Sequence, residues 1–398
     1  MAVTRDRRRT VLAGGSLTFL LILAHANNDG FFGMFSALLP TFQARFGLSE
    51  TGLALLVATL SLSTSVTQPL FGVLADRIGR RLLAGLGTLL CAALLSQIVV
   101  VPSVLLLVGV LFIGGLGSAA FHPSGMSLAR TAGGERKGMM VGLFGASGAL
   151  GMALGPVVIL YLIARVGPGP TPLLMIPGLL LGLAILVLLP KRATIPRQQR
   201  ARLFDRDLVV GPVGLLSLVG ILRATSFVTF TSAMPLWLVK VQGYAPDSPL
   251  IGWTLATFTF SSALGGVLAG TLADHFPRRR LTVGAILLAL PFLLAIFLFA
   301  PGTPAFFGTV ALAGLVTNAS LPLLILSGQD LAPHALSTAS GMLMGLSWGT
   351  AGLAYIGIGR LQEILGITDA MILSYLLLLP AAALAFYVLS RHRVAMSR

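Results

Sequence analysis

Apolar and polar positions in this chain segregate into long blocks instead of alternating every second or fourth residue. Continuous apolar runs fall at 11–39, 51–74, 82–101, 103–129, 138–164, 172–190, 211–239, 250–273, 281–300, 304–331, 338–359 and 370–390. A helix of roughly 20 apolar residues crosses a hydrocarbon core of ~30 Å. The runs lack the period-two alternation of a membrane β-barrel, so helices are expected throughout. Pro102 and the Pro301–Pro304 stretch predict very tight turns, and Arg165–Pro172 a Gly/Pro loop. The pattern predicts an all-α membrane protein of about twelve transmembrane helices. They fall into two six-helix pseudo-symmetric bundles, 1–190 and 211–398, joined by a polar cytoplasmic linker at 191–210.

Composition narrows this picture. With a mean hydropathy of +0.94 and 10% charged residues, a chain of 398 residues has too little polar surface to be water-soluble. A net charge of +15 would suit a nucleic-acid binder, but its distribution does not. Of the 27 Lys and Arg, 22 lie in alternate inter-span segments and termini, 4 lie in the others, and Arg223 lies within a span. That bias places both termini in the cytoplasm of an inner-membrane protein and excludes nucleic acid as a partner. Arg5, Arg7, Arg8 and Arg9 followed by Ala24-His25-Ala26 imitate a cleavable signal, yet the apolar run resumes through Phe31–Leu39, so one long first helix is expected. Cys91 is the sole cysteine, and packing is its expected role.

The halves repeat. Gly72–Arg81 reads GVLADRIGRR and Gly270–Arg280 reads GTLADHFPRRR, offset by 198; Gly115 with Gly314 and Pro123 with Pro322 have a similar offset. A duplicated six-helix unit is a known transporter plan. The Gly72–Arg81 stretch resembles the signature loop of the major facilitator superfamily. Its Gly72 permits close helix approach, Asp76 suits a helix N-terminus, and Arg77, Arg80 and Arg81 supply charge-assisted bonds that would hold the inner side shut. Asp274 occupies the equivalent place in the second copy. Gly148, Gly151, Gly155 and Pro156 resemble the antiporter motif of that superfamily, a glycine face able to approach a neighbour such as helix 8 with Gly265, Gly266 and Gly270. Ile159 and Leu160 replace the glycine pair often found after the proline, and Leu111 stands where drug antiporters commonly carry arginine.

A narrower resemblance rests on His25-x-x-Asn28-Asp29, Phe121-His122-Pro123, Ala129-Arg130 through Gly155-Pro156, and Gln329-Asp330-Leu331-x-Pro333. In order and spacing these are similar to the fosmidomycin-resistance type of efflux protein, although that family usually has Glu at the place of Asp330. The resemblance implies proton-coupled drug efflux and leaves the substrate open.

Ionisable groups at membrane depth cost about 2.5–3.5 kcal/mol each, so those present are functional candidates. His25 and Asp29 share one face of helix 1 with Asn28 and Phe32. Arg223 in helix 7 is the 198-offset mate of His25, so both are expected at a shared central cavity. Asp29, His25 and His122 are the candidate proton carriers, with the histidines also able simply to bond backbone carbonyls. Arg223 either pairs with Asp29 or binds substrate. Asn28, Phe32, Phe121, Phe227, Phe230, Asn318 and Trp348 are candidate substrate contacts, and Asp330 is a candidate latch to Arg278–Arg280. A cavity with Arg223 and two histidines against one carboxylate favours a small anionic or zwitterionic substrate with apolar parts. No phosphate-binding loop or hydrolase motif occurs, so the expectation is a non-enzymatic, monomeric secondary transporter without cofactor or metal. Uptake of an organic anion and lipid flipping are alternatives; a non-transporting sensor would normally bring a soluble domain.

Overall fold

The computed structural model describes residues 2–132, 137–189, 206–273, 275–333 and 336–391. Every described regular element is helical. Helix α1 (Ala2–Ala37) runs almost directly into α2 (Leu39–Phe46), which begins with Pro40 in its first turn. The second span is α3 (Glu50–Ser61) and α4 (Gln68–Ile78), separated by a π turn at Leu62–Val66. Next come α5 (Arg80–Leu95), α6 (Val104–Ala132), α7 (Lys137–Val166) and α8 (Met175–Leu188). A short α9 (Arg206–Val210) leads into α10 (Pro212–Lys240), α11 (Pro249–Leu272), α12 (Arg278–Ala295) and α13 (Pro304–Leu331). The eleventh span is α14 (Leu336–Gly341), a second π turn at Met342–Leu346, and α15 (Ser347–Leu365). The last is α16 (Ile367–Leu376) with α17 (Leu378–Arg391).

Among the described residues, 10 helical segments are long and apolar enough to cross a membrane. The two remaining predicted spans are α1 and α5, and α5 has only 16 residues of regular helix. Local chemistry sets many boundaries. Ser49 and Thr303 accept bonds from backbone N–H groups of Gly52 and Phe306, and prolines open α10, α11 and α13. The sharp turn from α4 to α5 passes through Gly79 at φ +110°, a backbone region that side chains rarely tolerate. Leu105, Leu180 and Leu298 are among many large apolar side chains left exposed, as a surface facing lipid requires.

Helix α1 packs along α7, α5 against α6 and α8, α11 against α13, and α10 against α15 and α17. The glycines of the α7 face lie against α1. A Cβ on Gly151 would strike the Ala26 carbonyl, and one on Gly155 the Gly30 carbonyl. Gly265 of α11 is pressed against Leu315 of α13. The fifth span, α7, does meet the eighth, α11, through Pro156 against Gly252, but the face of Gly148, Gly151 and Gly155 itself lies on α1, because a glycine face specifies close approach without specifying the partner. Gly72 is also looser than expected: an added Cβ would meet Pro123 only at 3.8 Å, an ordinary contact.

The two groups of six spans meet through α3 with α15 and α7 with α11. One end of the bundle carries Arg77, Arg81, Arg278 and Arg279 and is here named the basic end. The far end carries Arg45, Arg165, Lys240 and Arg360. Three far-end glycines pack tightly across the seam: Gly359 against Ala54 and Glu50, Gly352 against Ser61, and Gly252 against Pro156. Toward the basic end, Gly142 and Gly145 of α7, Gly270 of α11 and Gly341 of α14 have nothing within 4 Å of an added Cβ. Among the described residues, the hydrogen bonds and the ion pair that join the halves lie at the far end.

Candidate functional site

The histidine, aspartate and arginine side chains at membrane depth form two separate sites among the described residues, one in each half. In the first, α1 presents His25 and Asp29 one turn apart, and α6 brings His122 to the same carboxylate. His25 Nε2 lies 3.3 Å from Asp29 Oδ2, and His122 Nε2 lies 3.1 Å from Asp29 Oδ1. The other ring nitrogens face backbone carbonyls: His25 Nδ1 is 2.5 Å from Phe144 O, and His122 Nδ1 is 2.8 Å from Ser118 O. A carbonyl only accepts, so both Nδ1 atoms carry hydrogen. If both rings are neutral, both Nε2 lone pairs face a carboxylate, itself an acceptor. Hydrogen bonding across the cluster thus requires an additional proton, on an Nε2 or on Asp29. A second proton would satisfy both contacts.

Packing explains the convergence. The His25 ring stacks on Phe144 with centroids 4.0 Å apart and meets His122 edge-on at 5.0 Å. Phe121 packs beside both rings, 5.9 Å from His25 and 5.9 Å from Phe144. Gly148 of α7 makes the room: a Cβ there would lie 2.7 Å from His25 Nε2 and would also strike Asp29 Oδ2. The motif glycine thereby serves the polar site as well as the helix seam. His122, 23% exposed, is the most open member of the cluster. These three side chains are also the one group among the described residues whose donor atoms lie close enough together to hold a metal ion.

In the second half, Arg223 of α10 is fully buried. Its Nη1 donates to Asn318 Oδ1 at 2.9 Å and to Thr317 O at 3.3 Å, both on α13. Asn318 is fixed in turn by Nδ2 donating to Ser262 O of α11 at 3.4 Å. The indole of Trp348 lies 5.2 Å from the guanidinium, and Phe227 packs edge-on against that indole at 4.9 Å. Arg223 Nε and Nη2 are buried without a hydrogen-bond partner among the described residues.

Several expected contacts are placed elsewhere. Asp29 and Arg223 form no ion pair among the described residues; each is engaged within its own half. Equal helix depth does not bring two side chains together when nearer polar partners exist. Asn28 is fully buried and donates to Thr88 Oγ1 of α5 at 3.4 Å, so it faces its own bundle. Phe121 and Phe230 are fully buried, Phe230 being stacked on Phe258 with centroids 3.8 Å apart. Both therefore pack the core instead of lining a cavity. Phe32 is partly buried and packs against the main apolar core.

The gating residues divide similarly. Arg81 donates to Leu189 O at 3.0 Å, a bond within the first half and not across the basic end; Arg77 is exposed. The Asp76 side chain and the whole of Asp274 lie outside the described residues, as does most of the linker. Asp330 pairs with Arg278, the expected latch partner. At the far end the halves are joined by a Glu50–Lys240 ion pair and by Thr51 N–H donating to Glu363 Oε1 at 2.9 Å. Glu363 also receives a bond from Arg360 at 2.7 Å. Sequence reasoning passed over Glu50 and Glu363 because they look like ordinary loop-end charges. Their position at the first turn of α3 and the last of α15 was the available signal.

The family model described as Major Facilitator Superfamily matches residues 17–354. An uncharacterized MFS-type transporter of Bacillus subtilis, YfnC, is 25% identical over 386 residues, 92% of each chain. The fosmidomycin resistance protein of Escherichia coli is 25% identical over 356 residues, covering 86% of this chain and 85% of that one. Among solved structures, an inward-facing bacterial homologue of the human lysosomal transporter Spinster aligns over 97% of both chains with a TM-score of 0.71 at 18% identity. The nucleoside transporter NupG aligns over 94% of this chain and 100% of its own, with a TM-score of 0.73 at 14% identity. With the duplicated six-helix plan and signature loop, these matches assign the chain to the Major Facilitator Superfamily, as a multi-pass membrane transporter of small molecules.

Proposed function

We propose that this transporter is a proton-coupled exporter of a small anionic or zwitterionic amphiphilic compound, working by alternating access as a monomer. The observation that carries this reading is the His25–Asp29–His122 cluster, in which each histidine–carboxylate contact becomes a hydrogen bond only with an added proton. The carrier of the coupled proton is then in the first half, with Asp29 at its centre. Arg223, Asn318 and Trp348 form the substrate side in the second half. Antiport follows if substrate binding favours the proton-free cluster, because a ligand that lowers proton affinity is displaced by protons in equal measure. An interior-negative membrane potential helps expel an anion by about 2.3 kcal/mol per charge per 100 mV.

The charge bias of the loops assigns the basic end, both termini and the 191–210 linker to the cytoplasmic side of a bacterial-type inner membrane. The bundle described here is then inward-facing, with bundles 1–190 and 211–398 rocking about their α3–α15 and α7–α11 contacts. Opening the far end breaks the Glu50–Lys240 and Thr51–Glu363 contacts. The Gly72–Arg81 loop, its repeat at Asp274, and the Asp330–Arg278 pair act at the opposite gate.

Fosmidomycin, from the relative's name, is the first probe. Purified protein in sealed proteoliposomes is assayed for flux under an imposed pH gradient. Export predicts that the probe moves toward the more acidic side, against the proton flow. Movement with the protons would establish the rival reading, uptake of an organic anion. Probe flux that ignores the gradient would remove proton coupling.

A further inference from the structure

We infer that the open edge of Arg223 is an oxyanion-docking subsite and that the Trp348 indole is its movable cover. This deepens the proposed function: it rests on that reading for the class of substrate and names the group by which the substrate is held. A guanidinium has five N–H donors, and the Nε–Nη2 edge presents two of them in parallel, matched to the paired oxygens of a carboxylate or phosphoryl group. Arg223 spends its Nη1 on Thr317 O and Asn318 Oδ1 and leaves that two-donor edge with no partner. The side chain is fully buried, and the described residues supply no carboxylate to it. An unpaired buried cation is costly, so an edge kept in this condition fits a group that arrives from outside the protein.

The neighbours fit that role. Asn318 is held by Ser262 O, so its Oδ1 points firmly at Nη1 and fixes the plane of the guanidinium. Trp348 covers the guanidinium at 5.2 Å and is braced by Phe227 at 4.9 Å. It follows the π turn Met342–Leu346 by two positions. A π turn holds an extra residue compared with an α-helical turn, and relaxing it rotates the following residues by on the order of 100° about the helix axis. That rotation would carry the indole off Arg223 and leave aromatic surface beside the exposed edge. The ligand class is accordingly a carboxylate or phosphoryl-type oxyanion on a small apolar body.

The test uses the purified full chain in nanodiscs and reads tryptophan fluorescence during titration with benzoate, phenylphosphonate and uncharged benzamide. Both acids are expected to give a saturable change, at least about tenfold tighter than benzamide, because only they supply charge to the two-donor edge. The tighter acid identifies the head group. The change should vanish in Trp348→Phe, which assigns it among the three tryptophans. Arg223→Lys keeps the charge and loses the fork, and should weaken both acids by about tenfold or more. Equal binding of benzamide and the acids, or unchanged acid affinity in a folded Arg223→Lys protein, would overturn the subsite. Should that variant not fold, the acid-to-amide ratio of the unmutated protein decides alone. Binding is read without flux, so loss of proton coupling in proteoliposomes leaves this inference standing, and charge-blind binding removes it while leaving the coupling intact.

Discussion

The two halves repeat one helical plan, yet the equivalent positions His25 and Arg223 sit in opposite electrostatic settings. His25 belongs to a closed cluster in which α1 and α6 supply both the anion and its partners. Arg223, at the 198 offset, leans on α13 through neutral oxygens and has no anion beside it among the described residues. The same α1–α6 and α10–α13 proximities thus produce one site where a carboxylate meets two histidines and another where, among the described residues, a guanidinium meets only neutral groups.

The comparison breaks most sharply at Arg223. Arg223→Gln should lower the affinity for an anionic substrate about 100-fold, as loss of a buried charge partner costs 2–5 kcal/mol. A neutral substrate should be affected much less, and the response to a pH gradient should persist; binding and flux on the same preparation check both, with a folding control by size-exclusion profile. His122→Gln should reduce gradient-driven flux by roughly tenfold or more while leaving anion affinity unchanged, because it removes one proton acceptor and spares the second half. Equal loss of both would show that the sites are not separate.

Gly148→Ala should act on the proton side without replacing any ionisable group. Its Cβ has no room beside His25 and Asp29, and overpacking costs about 1–3 kcal/mol. Lower thermal stability together with a weakened pH response is expected; the same substitution at Gly145, which faces open space, should do neither. The smallest effect belongs to the far-end seal. Lys240→Gln breaks a partly exposed ion pair worth about 0.2–1 kcal/mol, so accessibility of far-end cysteines should rise by less than about fivefold.

The fold was largely legible because hydropathy blocks, proline turns and the duplicated loop report directly on membrane geometry. The predicted break between the second and third spans falls in the turn through Gly79, and those around Pro102 and Pro301 fall where the structure turns. The sites were legible only in part. The spacing of His25 and Asp29 puts them on one helical face without further information, whereas His122 reaches Asp29 only through the packing of α1 on α6. Arg223 shows the limit: depth suggested Asp29, and the shorter route to Asn318 prevailed. The π turns at Leu62–Val66 and Met342–Leu346 carry no sequence signature, since a single extra residue in an apolar helix leaves the hydropathy pattern unchanged. Likewise, the glycines of α7 announced close packing, but only the folded chain selects α1 as the partner and reveals that Gly148 also shelters the polar cluster.

The central claim is that the coupled proton resides on the Asp29 cluster, and Asp29→Asn in sealed proteoliposomes tests it most directly. Fosmidomycin flux is measured twice on the same vesicles, once under a pH gradient and once as exchange at equal pH. The account predicts that Asp29→Asn abolishes the gradient-driven component and retains exchange. An undiminished response to the gradient in this variant would place the proton elsewhere and contradict the account.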